Sequence, residues 1–571
     1  MTTETHPITD PLRNHGFRAR NLRALKAIEE PEVLILGGGV NGVATLRELS
    51  LNGVSCVLID TGDFCAGASG ASSRMAHGGL RYLEGREFRL VAESARERNR
   101  LIANAGHIVK PLKITVPLSH WLTGLARAGF RFLGLSKRSG PLSLVALEGA
   151  LRIYEAFGRR EHPLPDHETL LKRDRFPHGL PAPTKAVVSY YDGQITQPEG
   201  LIFEMLGEAL AQDCDVAVLN HMRWHREQDH LVVQDLFGPE QFALRPKVIV
   251  NATGAWIDRT NAELGGHTHY LRGIKGAHLV LDNADLHRRM DGNAYYFDDG
   301  TGRMVITLPV GDNVLVGTTE VETKNPDDHA VSGDEMTYLL KAMDGLFSDI
   351  DVRHDQIVSM TTGIRPLRRS EGGGSATSAA RDHALEEDRF SATFPPVLSL
   401  VGGKWTTFRA FGEETADSVL AHLGRKRTVS TAARAYPGAA PCEAQALVRE
   451  TEIAPDLAQR LIDRYGALAR NVAPYCTEDG AQALRDAPDL CRGEIRYAIR
   501  ERGALTLEDL ILRRTRLSFG HGLSPDTLPE LVALLAEETE RESDQLSAEI
   551  DAVITDPRLM GARIIKEEGA A

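Results

Sequence analysis

Long apolar runs, cysteine pairs and an excess of positive charge are all missing from this sequence of 571 residues. No window approaches the roughly 18 to 20 consecutive apolar residues that a membrane-spanning helix needs, and the N-terminus has no apolar signal core. The net charge is -13, so no global basic field is available to attract nucleic acid. The sequence therefore predicts a cytoplasmic protein, free or peripheral on the cytoplasmic membrane, with no nucleic-acid partner.

The six cysteines are scattered, with no CxxC pair and no histidine at zinc spacing. We therefore predict neither a structural metal nor a disulfide framework, and we expect a reducing compartment. The cysteines are Cys56, Cys65, Cys214, Cys442, Cys476 and Cys491.

The chain is too long for a single hydrophobic core, and its 42% hydrophobic and 25% charged composition is that of an ordinary globular protein. Apolar, strand-like segments recur far apart over the first 400 residues, whereas helical spacing prevails after about residue 430. This order predicts an α/β fold in which a Rossmann-like cofactor domain is interwoven with an α+β substrate domain. A C-terminal α-helical domain follows.

The predicted boundaries follow these changes in pattern. An N-terminal extension covers 1–30, and residues 31–428 hold the two interwoven domains. The cofactor domain takes the pieces 31–110, 185–270 and 360–428, and the substrate domain takes 111–184 and 271–359. The helical domain covers 429–571, with helices expected at 444–461, 494–502, 507–517 and 529–554. Thr506 and Asp509 have the spacing of a helix N-terminal cap.

A nucleotide-binding βαβ unit is predicted near the N-terminus. The apolar strand 33–36 runs into G-x-G-x-x-G at Gly37, Gly39 and Gly42, and a helix-length segment and a second strand follow. These glycines allow a tight turn, close approach to a pyrophosphate and close packing of helix on strand. The second strand ends at Asp60, where a carboxylate can bind the adenosine ribose. The unit thus predicts a dinucleotide site.

Two further segments favour FAD over NAD as that dinucleotide. Small and hydroxyl residues at 68–73, among them Ser69, Ser72 and Ser73, follow the second strand and suit an extended cofactor. A later apolar strand, 248–251, ends in Ala-Thr-Gly at Gly254, which resembles the second FAD fingerprint of two-domain flavoproteins.

The most specific pattern is Ala71 to Glu84, ASSRMAHGGLRYLE, which we call the signature loop. Through it, the chain resembles the FAD-dependent glycerol-3-phosphate dehydrogenases, within the D-amino-acid-oxidase-like flavoproteins. The likeness spans about residues 33–410. Further matching motifs are KGAH at 275–278, GTTE at 317–320, GIRPL at 363–367, ARD at 380–382 and GGKWTT at 402–407.

The resemblance implies oxidation of sn-glycerol 3-phosphate to dihydroxyacetone phosphate, with hydride passing to flavin N5 and electrons to quinone or another acceptor. His77 and His278 are the candidate proton acceptors, and His77 ranks slightly ahead because it lies in the signature loop. Gly403 and Thr406 are expected on the flavin side, at a helix start. The phosphate-binding residues implied are Arg81, Tyr82, Arg365, Arg381 and Lys404.

Three departures from the family pattern keep the substrate open. Arg368 and Arg369 stand where acidic residues are common, Trp405 stands where Leu is usual, and the segment 104–118 differs. A longer polyol phosphate, such as erythritol phosphate, is the main alternative. An amine or amino-acid oxidase would share the fold without needing so many phosphate-directed cations. A non-enzymatic flavoprotein is the third class.

Partners other than the substrate are less defined. Residues 121–138 mix Trp, Phe and Leu with Arg and Lys, as membrane-surface segments do, although a substrate-domain helix with one wet face has the same pattern. A membrane surface therefore stays open as a partner. A homodimer stays open too, independently of this segment.

Overall fold

The structure is a computed structural model that describes most of the chain. The described residues form three β-sheets, the helices that accompany them and a helical C-terminal region. None of the helices described is both long and apolar enough to cross a lipid bilayer. The described residues are 16–80, 88–121, 144–158, 164–299, 301, 303–369, 382–539 and 541–561.

Strands and helices are numbered in chain order, and short helical turns are left unnumbered. The strands are β1 (Val33–Leu36), β2 (Cys56–Ile59), β3 (Met75–Ala76), β4 (Val109–Leu118), β5 (Glu168–Leu170), β6 (Ala186–Ile195), β7 (Val216–Leu219), β8 (Met222–Glu227), β9 (His230–Asp235), β10 (Gln241–Leu244), β11 (Val248–Asn251), β12 (Leu271–Leu281), β13 (Ala294–Asp298), β14 (Met304–Val310), β15 (Asn313–Gly317), β16 (Val321–Thr323), β17 (Ile357–Arg368), β18 (Ala384–Asp388) and β19 (Val397–Val401). The helices are α1 (Phe17–Ala27), α2 (Val40–Leu51), α3 (Phe88–Asn104), α4 (Leu144–Gly158), α5 (Pro198–Leu210), α6 (Ile257–Glu263), α7 (Ala284–Met290), α8 (Gly333–Asp344), α9 (Phe408–His422), α10 (Ala444–Thr451), α11 (Pro455–Tyr465), α12 (Ala469–Val472), α13 (Arg492–Arg502), α14 (Thr527–Thr539) and α15 (Ser543–Thr555).

A six-stranded sheet contains the predicted nucleotide-binding unit. Its order is β18-β19-β11-β1-β2-β7, and β1 lies parallel to both β2 and β11. Every residue of β1, β2 and β11 is buried, which explains their continuous apolar runs, because a parallel sheet has both faces covered. The predicted β1–α2–β2 unit is confirmed. The antiparallel sheet β10-β9-β8 is a separate, smaller layer.

Helix α1 covers the β7 edge of the six-stranded sheet. The Asn21 side-chain oxygen accepts a hydrogen bond from the Val218 N–H at 2.8 Å, and Arg18 forms a buried ion pair with Asp235. Pairing an edge strand in this way satisfies backbone groups that would otherwise be exposed. Residues 16–27, although predicted as part of an extension, are thus packed against the sheet.

A ten-stranded sheet joins segments that are distant in sequence. Its main path is β16-β12-β15-β14-β13-β4-β6-β3, with β17 paired to β12 and β5 paired to β6. In this register His278 of β12 is opposite Thr361 on β17 and Gly317 on β15. Strands β6 and β17 both pair within this sheet. The predicted boundaries, in contrast, assign residues 185–195, which contain β6, and residues 360–368 of β17 to the cofactor domain. The division into domains stays a prediction.

The C-terminal region is helical, as predicted, but two of the four expected helices are each divided into two. The segment 444–461 forms two helices because Glu452 is left-handed (φ 61°) and Pro455 starts the next helix. Similarly, 529–554 contains α14 and α15. At the predicted cap, the Asp509 N–H donates to Thr506 Oγ1 at 3.1 Å and the Thr506 N–H donates to Asp509 Oδ2 at 3.2 Å. The capping prediction is confirmed.

Buried ion pairs fasten the C-terminal region to the six-stranded sheet. Arg514 binds both oxygens of Asp63, at 2.6 and 2.8 Å, and Arg513 contacts the same carboxylate. The region also reaches the ten-stranded sheet, where the Met360 N–H donates to the Pro557 carbonyl at 3.1 Å. It therefore contacts both of the sheets that flank the site described next.

Candidate active site

Two of the three motif glycines in the first βα turn, Gly37 and Gly42, are packed too closely to carry side chains, and the third, Gly39, leaves little room for one. Gly37 has a φ of 110°, and a Cβ added there would lie 2.6 Å from the Ala252 carbonyl oxygen. A Cβ at Gly42 would lie 2.0 Å from the Gly37 oxygen, and one at Gly39 would lie 3.3 Å from the Ser69 hydroxyl. The N-terminus of α2 is left with bare backbone around it, as a pyrophosphate requires.

Asp60 lies beside this loop at the end of β2. Its carboxylate accepts hydrogen bonds from the Gly38 N–H at 2.6 Å and the Gly62 N–H at 2.9 Å. Burial raises the pKa of Asp60 above its usual value, although both N–H groups act to lower it. Ser69 Oγ accepts from the Val40 N–H at 3.0 Å, at the first turn of α2. The loop, the carboxylate and the helix start fit the adenosine and pyrophosphate end of a dinucleotide.

Two later turns approach the same helix. Gly403 has a φ of 94°, and a Cβ there would lie 2.4 Å from the Asn41 amide nitrogen on α2. That amide donates to the Gly402 carbonyl at 3.1 Å. Gly254 follows β11 with a φ of 61°, in the segment whose Ala252 contacts the first glycine turn. Pieces from three parts of the sequence thus meet around the start of α2.

A cavity of about 390 Å³ lies between the signature loop, the ten-stranded sheet and the turn before α9. Six predicted residues lie at the dinucleotide end instead: Gly37, Gly39, Gly42, Asp60, Ser69 and Gly254. Arg81, Tyr82 and Arg381 fall outside the described residues. The predicted residues that line the cavity are Ser72, Ser73, His77, His278, Arg365, Gly403, Lys404 and Thr406.

Sequence reasoning assigned no role to several other polar residues of the cavity. Thr318 and Glu320 belong to the GTTE motif, so a signal for these two was present. The others lie in or beside strands of the ten-stranded sheet. Among them, only Asp192 had a signal in the sequence, because it is a carboxylate within the largely apolar strand β6. These residues are Asp192, Tyr296, Arg303, Thr318 and Glu320.

His278 is buried in the cavity wall. Its Nε2 lies 2.8 Å from Ser73 Oγ, and its Nδ1 has no hydrogen-bond partner among the described residues. A Cβ added at Gly317 would lie 2.0 Å from the imidazole, so this glycine makes room for the ring. Burial lowers the pKa of His278 to about 3, with contributions from the positive charges of Arg365 and Arg74. The imidazole is therefore neutral at physiological pH.

The lowered pKa of His278 predicts how stability depends on pH. A histidine in an unfolded chain has a pKa of about 6.5, so between about pH 3 and 6.5 the unfolded state binds one more proton than the folded state. Stability therefore falls with decreasing pH across this window, by about 1.4 kcal/mol per pH unit. We expect His278→Gln to remove this slope from the urea-unfolding free energy. An unchanged slope would assign it to another group.

Arg365 on β17 extends its guanidinium into the cavity. Its Nη2 donates to Thr318 Oγ1 at 3.0 Å, and its Nη1 lies 3.5 Å from Glu320 Oε1. A Cβ added at Gly276 on β12 would lie 3.0 Å from Nη2, so the glycine leaves space for the guanidinium. The Arg365 side chain is 36% exposed and remains accessible to a bound anion. Lys404 lines the same cavity.

His77 is the second imidazole of the cavity and is less buried than His278. Thr406 Oγ1 accepts a hydrogen bond from the His77 N–H at 3.1 Å and donates one to the His77 carbonyl at 3.1 Å. Two imidazoles and three cationic side chains, Arg303, Arg365 and Lys404, thus share one cavity next to the dinucleotide loop. Such a site can bind an anionic substrate and remove a proton from it.

Family comparison gives two matches in chain order. Residues 32–417 match the model of the FAD dependent oxidoreductases. The chain belongs to the FAD dependent oxidoreductase family. FAD is the cofactor of this oxidoreductase, and the packed glycines and Asp60 fit it. Residues 429–546 match a model described as the C-terminal domain of alpha-glycerophosphate oxidase.

Relatives of this FAD-dependent oxidoreductase match most of its length. A glycerol-3-phosphate dehydrogenase from Synechocystis sp. is 29% identical over 524 residues, which cover 85% of this chain and 89% of the relative. A probable mitochondrial glycerol-3-phosphate dehydrogenase from Caenorhabditis elegans is 27% identical over 565 residues, covering 92% and 73%. The solved structure of a Bacillus halodurans glycerol-3-phosphate dehydrogenase complexed with FAD has a TM-score of 0.68 at 21% identity and covers 95% of this chain and 98% of its own. The predicted fold class is confirmed.

Proposed function

We propose that this enzyme oxidises sn-glycerol 3-phosphate to dihydroxyacetone phosphate. The observation that carries the proposal is the cavity, which combines two imidazoles with Arg365 and Lys404. Oxidation of a secondary alcohol needs a proton acceptor, and a phosphate bound away from bulk water needs cations. The names of the relatives, glycerol-3-phosphate dehydrogenase, support the same substrate.

FAD supplies the hydride acceptor, flavin N5, when it is bound. In this proposal Arg365, oriented by Thr318 and Glu320, binds the substrate phosphate together with Lys404. His77 takes the proton of the substrate hydroxyl, because His77 is less buried, whereas burial lowers the pKa of His278 to about 3 and makes it the weaker base. A phosphate beside Arg365 would offset one of the charges that lower the pKa of His278, so substrate binding would make that imidazole more basic.

Three more residues complete the proposed phosphate site. Arg81 and Tyr82 of the signature loop, and Arg381 of the ARD motif, match the positions at which the family resemblance implies phosphate contacts. An arginine is suited to this task because its planar fork can engage two phosphate oxygens.

A longer polyol phosphate is the second candidate substrate. Tyr296, Arg303 and Glu320 add polar groups to the cavity beyond the proposed phosphate-binding cations, and they can bond additional hydroxyl groups. Arg368, one of the departures from the family pattern, pairs with Glu386 at 2.9 Å and is not part of the cavity wall. The case for the longer substrate therefore rests on the cavity residues.

The electron acceptor in this proposal is a quinone at the cytoplasmic face of the membrane. The family resemblance supports a quinone, and the Trp, Phe and Leu of residues 121–138, interspersed with Arg and Lys, suit a lipid surface. Of that segment, residues 122–138 lie outside the described part of the chain. A homodimer is also compatible with the proposal.

The experiment that tests the substrate is anaerobic bleaching of the flavin absorbance of the purified enzyme. We expect glycerol 3-phosphate to bleach the flavin within seconds and unphosphorylated glycerol to act far more slowly, because the proposed cations bind phosphate. Bleaching by erythritol phosphate alone would replace the first candidate with the second. No bleaching by any phosphorylated polyol would contradict the proposal.

A further inference from the structure

The backbone on both sides of His77 is held by side chains from elsewhere in the fold. The peptide group before His77 donates its N–H to Thr406. The peptide group after it offers the His77 carbonyl to Thr406 and the Gly78 N–H to two other acceptors. Since a residue has only two soft backbone dihedrals, bonds to both flanking peptide groups fix the direction in which the imidazole leaves the backbone.

Thr406 provides the first of these anchors. It lies in the turn before α9, beside the six-stranded sheet, and is 2% exposed. Its single hydroxyl accepts from the His77 N–H and donates to the His77 carbonyl. Both of these hydrogen bonds of the Thr406 hydroxyl are therefore made to His77 of the signature loop.

The second anchor comes from elements on the side of the ten-stranded sheet. The Gly78 N–H donates to Asp192 Oδ1 of β6 and to the Tyr154 hydroxyl of α4, each at 3.0 Å. The Tyr154 hydroxyl donates to Asp192 at 2.5 Å, and Arg98 of α3 donates to the same carboxylate at 2.8 Å. All three side chains are at most 3% exposed.

Only a glycine fits between these groups. A Cβ added at Gly78 would lie 2.3 Å from the Tyr154 hydroxyl oxygen. The network is thus in close contact with the loop backbone and leaves it little freedom to shift. Because this network and Thr406 come from different sides of the cavity, together they set the position of His77 relative to both.

We propose that Thr406 and the Asp192–Tyr154–Arg98 network are positioning residues that aim the His77 imidazole at the substrate hydroxyl. Proton abstraction depends steeply on geometry, and a displacement of about 1 Å lowers a rate by roughly 100-fold. The inference rests on the proposed function, in which His77 accepts the proton. It adds that His77 accepts the proton at the full rate only while both anchors hold its backbone.

The central variant is Thr406→Val, which keeps the shape of the side chain and removes the hydroxyl. We expect anaerobic flavin reduction by glycerol 3-phosphate to slow about 10- to 100-fold, with FAD content and KM within about twofold of the parent. Thr406→Ser restores the hydroxyl and should recover most of the rate. Thr415→Val is the matched control, because Thr415 is a buried α9 threonine whose hydroxyl donates to the Phe411 carbonyl at 2.8 Å and, within the described part of the chain, to no other group.

A double variant separates positioning of His77 from any other effect of Thr406. If Thr406 acts through His77, adding Thr406→Val to His77→Ala causes no further loss of rate. Additive losses would overturn the inference, since they would mean that Thr406 acts on the cofactor or on folding. A His77→Ala variant that reduces its flavin at the parent rate would also overturn it, while bleaching by glycerol 3-phosphate would leave the substrate proposal intact.

Tyr154→Phe tests the second anchor independently. It removes one of the two acceptors of the Gly78 N–H and keeps the ring packing, so the fold should be preserved. We expect the rate of flavin reduction to fall less than in Thr406→Val. In the His77→Ala background, Tyr154→Phe should likewise cause no further fall. A loss of equal size in both backgrounds would exclude a positioning role for this anchor.

Discussion

Replacing Arg365 with alanine should lower kcat/KM for glycerol 3-phosphate by about 100-fold or more, mainly through KM. A charge-assisted hydrogen bond contributes about 1.5–3 kcal/mol, and the guanidinium fork can make two of them to a phosphate. These bonds are equally present in the ground and transition states, so their loss weakens binding more than it slows the chemistry. Steady-state kinetics with an artificial dye acceptor measure both parameters.

Two controls make the result specific to phosphate. Arg368→Ala removes an arginine three residues further along β17 that is 48% exposed and paired with Glu386, and KM should stay at the parent value. Unphosphorylated glycerol should be oxidised equally slowly by the parent enzyme and by Arg365→Ala. An unchanged KM in Arg365→Ala, or a loss of FAD, would remove Arg365 from the phosphate site.

The parts of the fold that follow from local physics were predictable from the sequence. Strands β1, β2 and β11 are short apolar runs because both of their faces are buried. The glycine turn after β1 follows from steric demands that act within a few residues, as the contact between Gly42 and Gly37 illustrates. The break between α10 and α11 was equally local, and Pro455 was an available signal for it.

The parts that depend on long-range pairing were not predictable from the sequence. Asp192 meets the signature loop because β6 pairs with both β3 and β4, and a register shift of one residue would turn its side chain to the other face. Helix α1 was placed in an extension because its contacts, such as Arg18 with Asp235, are more than 200 residues apart in the chain. His77, His278 and Arg365 were found through family motifs, and their roles stay predictions.

Breaking the ion pair between Asp63 and Arg514 by removing one charge should be among the most destabilising single changes in the protein. Both side chains are fully buried, and Arg513 adds a second arginine to the same carboxylate. Burial acts to lower the pKa of Arg513, but Asp63 and Asp509 outweigh it and hold the pKa well above its usual value. Removing the negative charge of Asp63 would leave two buried cations with too little compensation.

We therefore expect Asp63→Asn to lower the free energy of unfolding by about 3–5 kcal/mol, measured by urea denaturation of the FAD-loaded enzyme. The matched control is Glu501→Gln, which breaks the pair between Glu501 and Arg20 of α1. Those side chains are 29% and 46% exposed, so the expected change is below about 1 kcal/mol. Similar losses in both variants would contradict the dominance of the buried pair.

The same substitution should also affect FAD, because Asp63 lies close to the dinucleotide loop. The Cys65 N–H donates to the Gly38 carbonyl at 3.1 Å, and Gly38 in turn donates to Asp60. A displacement of the chain at Asp63 would thus be transmitted to the glycine turn that binds the pyrophosphate. In Asp63→Asn we expect flavin fluorescence to rise at a lower urea concentration than in the parent, together with or before the tryptophan signal. Flavin release at the parent concentration would mean that the C-terminal region stabilises the fold without supporting the cofactor site.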